Sequence, residues 1–456
     1  MPHFSAHFPG RLLAFGAAFF VLAAAAQAQT IPAFPGAEGA GAFAKGGRGG
    51  DVYHVTNTNA SGAGSLAYGL TTGVPAAGRT IVFDVSGYAH ISKELRITAS
   101  KITVAGQTAP GDGFGLKDGT FRVSGDDIVI RHLRFRDGNS ADSIDFDSGS
   151  QNAILDHTDA MFSNDENFSS FGSPPENLTF QWSFNAWGME SHSAGGLWDM
   201  SHTTTHHTLW AHNHTRNPKV RAGLLDWVNN VTFDWDIGFI MGDSPSNATW
   251  RANVRGCYFI SGTSKTTALE KASLQTSNGL PNFNLYMEDS ALDGNINGLL
   301  DVTRTNYAMA SGSYNTSATP FPMTANFQAV SGANPLIGVP VTQDGYLLAY
   351  KKIVSNAGPL RLDVDAAKPL RDEVATLLIS ELVAQTHHHV SNVTGTGLGN
   401  GGFGTLNSAA APLDTDKDGM PDYYETALGW SVGTDDHNTA LPSSGEIGRA
   451  SCRERV

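Results

Sequence analysis

Three cations fall within six residues of an acidic chain, in Arg216-Asn-Pro-Lys-Val-Arg221. Pro218 fixes one φ angle and removes a backbone donor. Arg216, Lys219 and Arg221 should therefore share one stiff turn and form a local positive cluster able to grip carboxylates. The whole chain carries a formal net charge of -14, which argues against a general nucleic-acid binder. Any polyanion must be met by such a patch or by a bridging cation. A second constellation, Asp414-Thr-Asp-Lys-Asp-Gly-Met-Pro-Asp-Tyr-Tyr-Glu425, sets oxygen ligands Asp414, Asp416, Asp418, Asp422 and Glu425 at loop positions 1, 3, 5, 9 and 12, with Gly419 at 6. That spacing is the pattern of an EF-hand-type calcium loop, for which a structural role is expected. The histidines His202, His206, His207, His212 and His214 match no simple zinc spacing and are expected to stack along turns. His387-His388-His389 reads as a surface run.

The elements that must carry these groups repeat. Arg79-Thr-Ile-Val-Phe-Asp, Lys101-Ile-Thr-Val-Ala-Gly, Asp127-Ile-Val-Ile-Arg-His, Asn152-Ala-Ile-Leu-Asp-His, Asn177-Leu-Thr-Phe-Gln-Trp, His207-Thr-Leu-Trp-Ala-His, Asn230-Val-Thr-Phe-Asp-Trp and Asn253-Val-Arg-Gly-Cys-Tyr begin 22, 26, 25, 25, 30, 23 and 23 residues apart. Each is a short apolar run opened by a polar residue. One strand-like run per period in the twenties marks a solenoid whose stacked rungs bury a continuous core. The fold class predicted is all-β, a parallel β-helix with the eight segments in register. Charged residues are only 16% of the chain and glycines number 51, which suits many tight turns.

The remaining segments frame this solenoid. Arg11, the apolar run Leu12 to Ala26 and the small-x-small site Ala26-Gln27-Ala28 read as a signal peptide over residues 1–28, so the mature chain is expected to be secreted. Residues 29–340 should form the β-helix, opening on a glycine-rich cap at Gly46-Gly47-Arg48-Gly49-Gly50. Helical patterns at Tyr346 to Asn356, stopped by Gly358, and at Asp372 to Gln385 mark an extension over 341–410. The calcium-loop region covers 411–445. Residues 446–456 share no periodicity with the rest and resemble a translated sequencing adapter. They hold Cys452, leaving Cys257 in the last repeat as a core residue with no internal partner.

Several ordered motifs belong together. Phe34-Pro-Gly-Ala-Glu-Gly-Ala-Gly41, Val82-Phe-Asp-Val-Ser-Gly87, Ala105-Gly-Gln-Thr-Ala-Pro-Gly-Asp-Gly113, Ile130-Arg-His-Leu-Arg-Phe-Arg136, Leu155-Asp-His157 and Arg216-x-Pro-x-x-Arg221 occur in sequence. This set resembles bacterial pectate lyases of polysaccharide lyase family 1, over roughly residues 33 to 262. The resemblance implies a right-handed parallel β-helix and β-elimination on polygalacturonate assisted by Ca2+. It implies Arg216 as the base that takes the C5 proton and Arg221 as a ligand of the substrate carboxylate, with Lys219 beside them. Asp142 and Glu166 align with calcium ligands of the family. Ser140 and Ser170 stand at the other two positions, and Asp145, Asp147 and Asp165 lie near. A lysine often present before the His-Ser-x-Gly-Gly segment is missing from Gly188-Met-Glu-Ser-His-Ser-Ala-Gly-Gly196.

Two other readings are open. The Asp142, Asp145 and Asp147 cluster suits a β-helix hydrolase with paired carboxylates. A non-catalytic β-helix adhesin would bind polyuronate without turning it over. Under the leading reading the partner is an acidic plant polysaccharide, with no nucleic acid and no membrane after signal cleavage, and the protein is a monomer.

Overall fold

Asn152, Asn177 and His202 adopt left-handed φ angles of 58°, 59° and 53°, as do Lys101 and Asp127 at 61° and 58°. These polar openers of the apolar runs are the corners at which the chain enters the same sheet, one coil after another. Asn and Asp tolerate that backbone region better than most residues because their short side chains bond locally. A second row of corners, His132, His157, Trp182 and His207, has φ between 49° and 52°. Between corners the chain can only run straight, and each coil therefore contains three short strands.

The computed structural model describes residues 31–139, 141–147, 149–170, 175–189, 192–221, 223–242, 249–261, 274–276, 282–323, 338–361 and 369–439. The expected signal peptide and the segment 446–456 lie outside them. The strands form three sheets of eleven, ten and nine strands. One coil illustrates the order: Gln151–Asp156 in the first sheet, Asp159–Met161 in the second, Phe168–Ser170 in the third. Neighbouring coils pair in parallel, with Ala153 opposite both Ile128 and Leu178. The exception among described strands is Ala291–Asp293 against Arg304–Thr305, which is antiparallel. A parallel β-helix is therefore the fold.

Five of the eight predicted segments stack in the first sheet. His207-Thr-Leu-Trp-Ala-His and Asn230-Val-Thr-Phe-Asp-Trp do not. Their strands, Leu209–Ala211 and Val231–Phe233, belong to the second sheet. Asn253-Val-Arg-Gly-Cys-Tyr straddles the corner between Trp250–Arg255 and Tyr258–Ile260. The first sheet continues instead through Ser201–His206, which reads Ser-His-Thr-Thr-Thr-His. All three sheets share one period, so spacing alone does not say which face a run occupies. The threonine strand hid because its outward side chains meet the N-terminal strap. Thr204 Oγ1 accepts from the Ala40 amide at 3.0 Å and Thr179 Oγ1 from Gly41 at 2.9 Å.

That strap is the glycine-rich cap. It lies so close on the first sheet that a Cβ on Gly41 would sit 2.0 Å from the Ala153 carbonyl oxygen. The second sheet is covered by the C-terminal extension. Helices α1 (Tyr346–Asn356) and α2 (Glu373–Ala384) pack Ile353, Leu378 and Leu382 on Leu209, Val231 and Phe233. Asp372 caps α2 by accepting from Ala375 N and also pairs with the buried Arg134 and Arg136. The extension is thus part of the same compact unit as the coils. Cys257 is buried and unpaired. Among the described residues no helix is long and apolar enough to cross a membrane.

Candidate active site

The strap lies on the first sheet and the C-terminal helices on the second, and the predicted chemistry converges at the leading edge of the third. Isolated parallel bridges link Glu166 to Ala194 and Ala194 to Thr215. Asp142 joins this rail through its Oδ1, which accepts from the Glu166 amide at 3.0 Å. Parallel strands stack ~4.8 Å apart, so Asp142, Asp165, Glu166 and Arg216 share one surface although three coils supply them.

Arg216 takes a left-handed φ of 55°. Its carbonyl accepts from Gly196 N at 2.8 Å, which fixes the backbone whatever the side chain. The guanidinium leans back across the rail and pairs with Glu166 Oε1. Burial lowers the pKa of Arg216, with Asp165 opposing and Arg221 adding to the fall. Beyond Pro218 the chain enters the short strand Lys219–Val220. Val220 is fully buried, so period-two alternation turns Lys219 and Arg221 outward beside Arg216. Burial and the two arginine charges push the Lys219 ammonium down to about 8. The three predicted cations are thus brought together, and Arg216 among them reaches the Asp142, Asp165 and Glu166 carboxylates.

Beneath them runs a chain of buried asparagines that the sequence reading missed. Asn213 Oδ1 accepts from Asn167 Nδ2 at 3.1 Å and from the Gly188 amide at 2.8 Å. Its Nδ2 donates to Asn217 Oδ1 at 3.0 Å, and Asn217 Nδ2 donates to the Asn213 and Ile237 carbonyls. Asn167, Asn213 and Asn217 are at most 1% exposed, and each anchors one loop of the rail. Asn167 and Asn213 stand 46 residues apart and Asn217 follows four later, so no coil period marks them in the sequence. Deeper still, Trp198, Trp210 and Trp227 pack with ring centroids 5.2 to 6.2 Å apart.

The carboxylates divide by partner. Asp147 pairs with Arg96 and Arg122, and Arg122 Nη1 also lies 2.5 Å from Asp145 Oδ2. These arginines engage Asp145 and Asp147, two of the three aspartates of the paired-carboxylate alternative. Asp142 has no such ion pair among the described residues, although Arg122 and Arg216 lie within electrostatic reach. Burial first, then the charges of Asp145 and Asp165, push its carboxyl up to about 8. Asp165 faces His192, whose Nδ1 is 3.0 Å away. Ser170 is buried and its Oγ accepts from Asp199 N at 3.1 Å, so it turns into the sheet, away from the rail. Ser140 lies outside the described residues. Asp142 and Glu166, with Asp165 beside them, are hard oxygen donors held in adjacent coils. That donor chemistry fits a divalent cation such as Ca2+.

In the C-terminal loop, Gly419 takes φ 88° and donates to Asp414 Oδ2 at 2.9 Å. Asp414, Asp416, Asp418 and Glu425 gather as expected. Asp422 departs from the expectation: its two oxygens accept from the Thr415 amide and hydroxyl at 2.8 and 2.7 Å. It opens α3 (Asp422–Leu428) and braces the loop, which leaves it turned away from the other carboxylates.

Of the histidines expected to stack, His207 and His212 do, whereas His206 meets its neighbours edge-on and His214 pairs with Asp236. His132 on His157, Trp182 on His207 and Trp187 on His212 are near-parallel, with centroids 4.2 to 5.4 Å apart. His387-His388-His389 is not a surface run. His387 pairs with Asp234 and His388 with Glu381, and the same two carboxylates hold buried His212.

No family profile matches the chain. Individual relatives do. Probable pectate lyase C of Aspergillus fumigatus is 36% identical over 442 residues, covering 93% of this chain and 94% of that protein. Probable pectate lyase C of Aspergillus terreus is 35% identical over 441 residues, covering 94% and 95%. Among solved structures, jun a 1, the major allergen from cedar pollen, superposes with a TM-score of 0.50 at 20% identity, over 71% of this chain and 92% of that one. A pectate lyase bound to hexasaccharide gives 0.50 at 12%, over 73% and 99%; at such identities the structures speak for the fold alone. Sequence identity sustained from end to end with fungal relatives, on a β-helix with this rail, establishes that the chain belongs to the pectate lyases of polysaccharide lyase family 1.

Proposed function

We propose that this protein is a secreted, monomeric pectate lyase that cleaves polygalacturonate by β-elimination, with Arg216 as the base. The observation that carries the reading is the placement of Arg216, with Lys219 and Arg221 beside it, against Asp142, Asp165 and Glu166 at the edge of the third sheet. Arg221 and Lys219 bind uronate carboxylates on an otherwise acidic protein, and Arg221 offers a bidentate grip. Arg216 removes the C5 proton, which lies α to the carboxylate; the released electron pair forms the C4–C5 double bond as the C4–O4 bond breaks, O4 departs with the other fragment and takes a proton from solvent, and a 4,5-unsaturated uronide remains. An arginine can serve because burial and the Arg221 charge lower the cost of its neutral form. Asp142, Glu166 and Asp165 would hold Ca2+, which when bound supplies positive charge to the uronate carboxylate as negative charge develops there. The loop residues Asp414, Asp416, Asp418 and Glu425 would hold a separate, structural Ca2+.

The test is direct. Polygalacturonate and calcium should give the ultraviolet absorbance of an unsaturated uronide. New reducing ends without that absorbance would select a hydrolase. Retained binding without turnover would select the adhesin reading.

A further inference from the structure

The C-terminal calcium loop has one carboxylate too few in its own segment, since Asp422 is spent on Thr415. Another residue stands in its place. Asp436 lies eleven residues past Glu425, and its backbone amide donates to Asp418 Oδ2 at 3.2 Å. That bond brings the Asp436 side chain to the mouth of the loop. Five buried carboxylate oxygens there have no hydrogen-bond donor: Asp414 Oδ1, Asp416 Oδ2, both oxygens of Glu425, and Asp436 Oδ1. Glu425 is 0% exposed, and the charges acting on it are those of Asp416, Asp418, Asp436 and Asp414. A carboxylate out of water with neither donor nor cation is strongly disfavoured. An oxygen-lined nest of this kind is what calcium requires, and magnesium less so, because magnesium keeps several waters.

The residues around Asp436 also touch the far end of the chain. Asn438 Oδ1 accepts from Gly49 N at 3.0 Å, and its Nδ2 donates to the Gly50 carbonyl at 3.3 Å. The His437 ring meets the same carbonyl at 3.1 Å. From the loop itself, the Lys417 carbonyl is 3.1 Å from Nε2 of His54, in the first strand of the β-helix, Asp51–Val55. The His54 ring is held on its other side by Asp84. Three contacts therefore place the tail beside the opening edge of the first coil, and the loop carboxylates meet Asp436 between them.

We propose that Asp436 completes a calcium site with Asp414, Asp416, Asp418 and Glu425, and that the bound ion latches the C-terminal tail across the first coil. The proposal rests on the calcium-loop reading given above and adds a ligand and a role to it. The latch protects the edge of the first strand, whose backbone groups otherwise end the solenoid. It makes calcium a determinant of how the β-helix begins, independent of substrate.

The experiment uses the full chain without polysaccharide. Calcium binding is followed calorimetrically, and hydrogen exchange is followed at 49–55 and 414–439, with and without chelator. Calcium should slow exchange in both segments together. Asp436→Asn should weaken calcium binding by at least ~10-fold, since affinity follows ligand charge, and should speed exchange in both segments at matched sub-saturating calcium. Glu425→Gln should abolish the substrate-independent site. If Glu425→Gln removes the site and Asp436→Asn leaves affinity unchanged, the Asp436 assignment is overturned while the loop reading stands. If Glu425→Gln leaves calcium binding unchanged, both are overturned. If exchange at 49–55 does not respond to calcium, the latch is overturned.

Discussion

Arg216→Lys should cut turnover by ~10²- to 10⁴-fold, the usual worth of a positioned general base, while leaving the fold almost untouched. The reasoning separates backbone from side chain. The φ of 55° at position 216 and the Gly196 hydrogen bond to its carbonyl do not depend on the side chain. Lysine can also keep an ionic contact with Glu166. Since the Arg216 side chain is 22% exposed, exchanging one cation for another should change stability by less than about 1 kcal/mol. Protonation alone would not explain a rate loss. An ordinary lysine, with a pKa of ~10.4 against ~12.5 or more for arginine, sheds its proton more cheaply at about pH 9. The loss must come from the weaker base and from reach. Lysine ends in one nitrogen short of where the guanidinium ends, and ~1 Å of misplacement can cost ~100-fold. At ~1.4 kcal/mol per tenfold, the predicted loss is about 3 to 5 kcal/mol of transition-state stabilisation. The assay is the initial rate of unsaturated product at saturating polygalacturonate and matched calcium, from about pH 8 to about pH 10, beside a thermal melt. A variant turning over within threefold of wild type would refute Arg216 as the base. A loss of turnover matched by a large drop in melting temperature would refute the separation of side chain from scaffold.

Three further outcomes are expected. Asn213→Ala strips the Gly188 amide of its acceptor and Asn217 Oδ1 of its Asn213 donor, while Asn167 Nδ2 keeps Asn185 Oδ1 and the Ala186 carbonyl, at ~1 to 3 kcal/mol for each orphaned group; thermal unfolding should show it, and kcat should fall more than KM rises because Arg216 loses its footing. Because the Asp142 carboxyl is pushed up to about 8 and a ligand must shed its proton, the calcium giving half-maximal rate should fall between about pH 7 and about pH 9. Chelation should stop turnover, and a rate indifferent to chelator would count against a catalytic calcium. The third concerns the docking of the C-terminal extension. His212 is penalised by burial, but hydrogen bonds to Asp234 and Glu381 outweigh this and raise its pKa. Burial alone would raise Asp234, yet His212 and His387 hold it well below the usual carboxylate range. The His212 contribution is complete below ~6.5 and is lost as pH rises through its folded value, whereas that of Asp234 is complete above ~4 and is lost as pH falls. Proteolysis within 369–390 should therefore be slowest between these limits, and Asp234→Asn should flatten the profile.

The sequence by itself determined the solenoid, because one apolar run per coil must recur at the coil's length and nothing else in globular proteins repeats that way. It also determined which cations cluster, since Arg216, Lys219 and Arg221 are local to one turn. It placed the helices at 346–356 and 372–385 by apolar spacing, though the capping role of Asp372 at the start of the second came only from the structure. Other features belong to the tertiary structure. Three sheets of equal period are indistinguishable by spacing, so the threonine strand Ser201–His206 was passed over and two second-sheet strands were set in the first. The asparagines at 167, 213 and 217 carry no apolar signal, and only stacking shows that they bond to one another. Asp422 matched its loop position in type and spacing, but the local Thr415 donors captured it. Asp436 matched no pattern, because a ligand supplied from outside the loop is selected by where the chain returns in space. Spacing encodes what is built from neighbours in sequence. Contacts between coils depend on which residues stacking brings ~4.8 Å apart, and that is fixed only when the whole helix has closed.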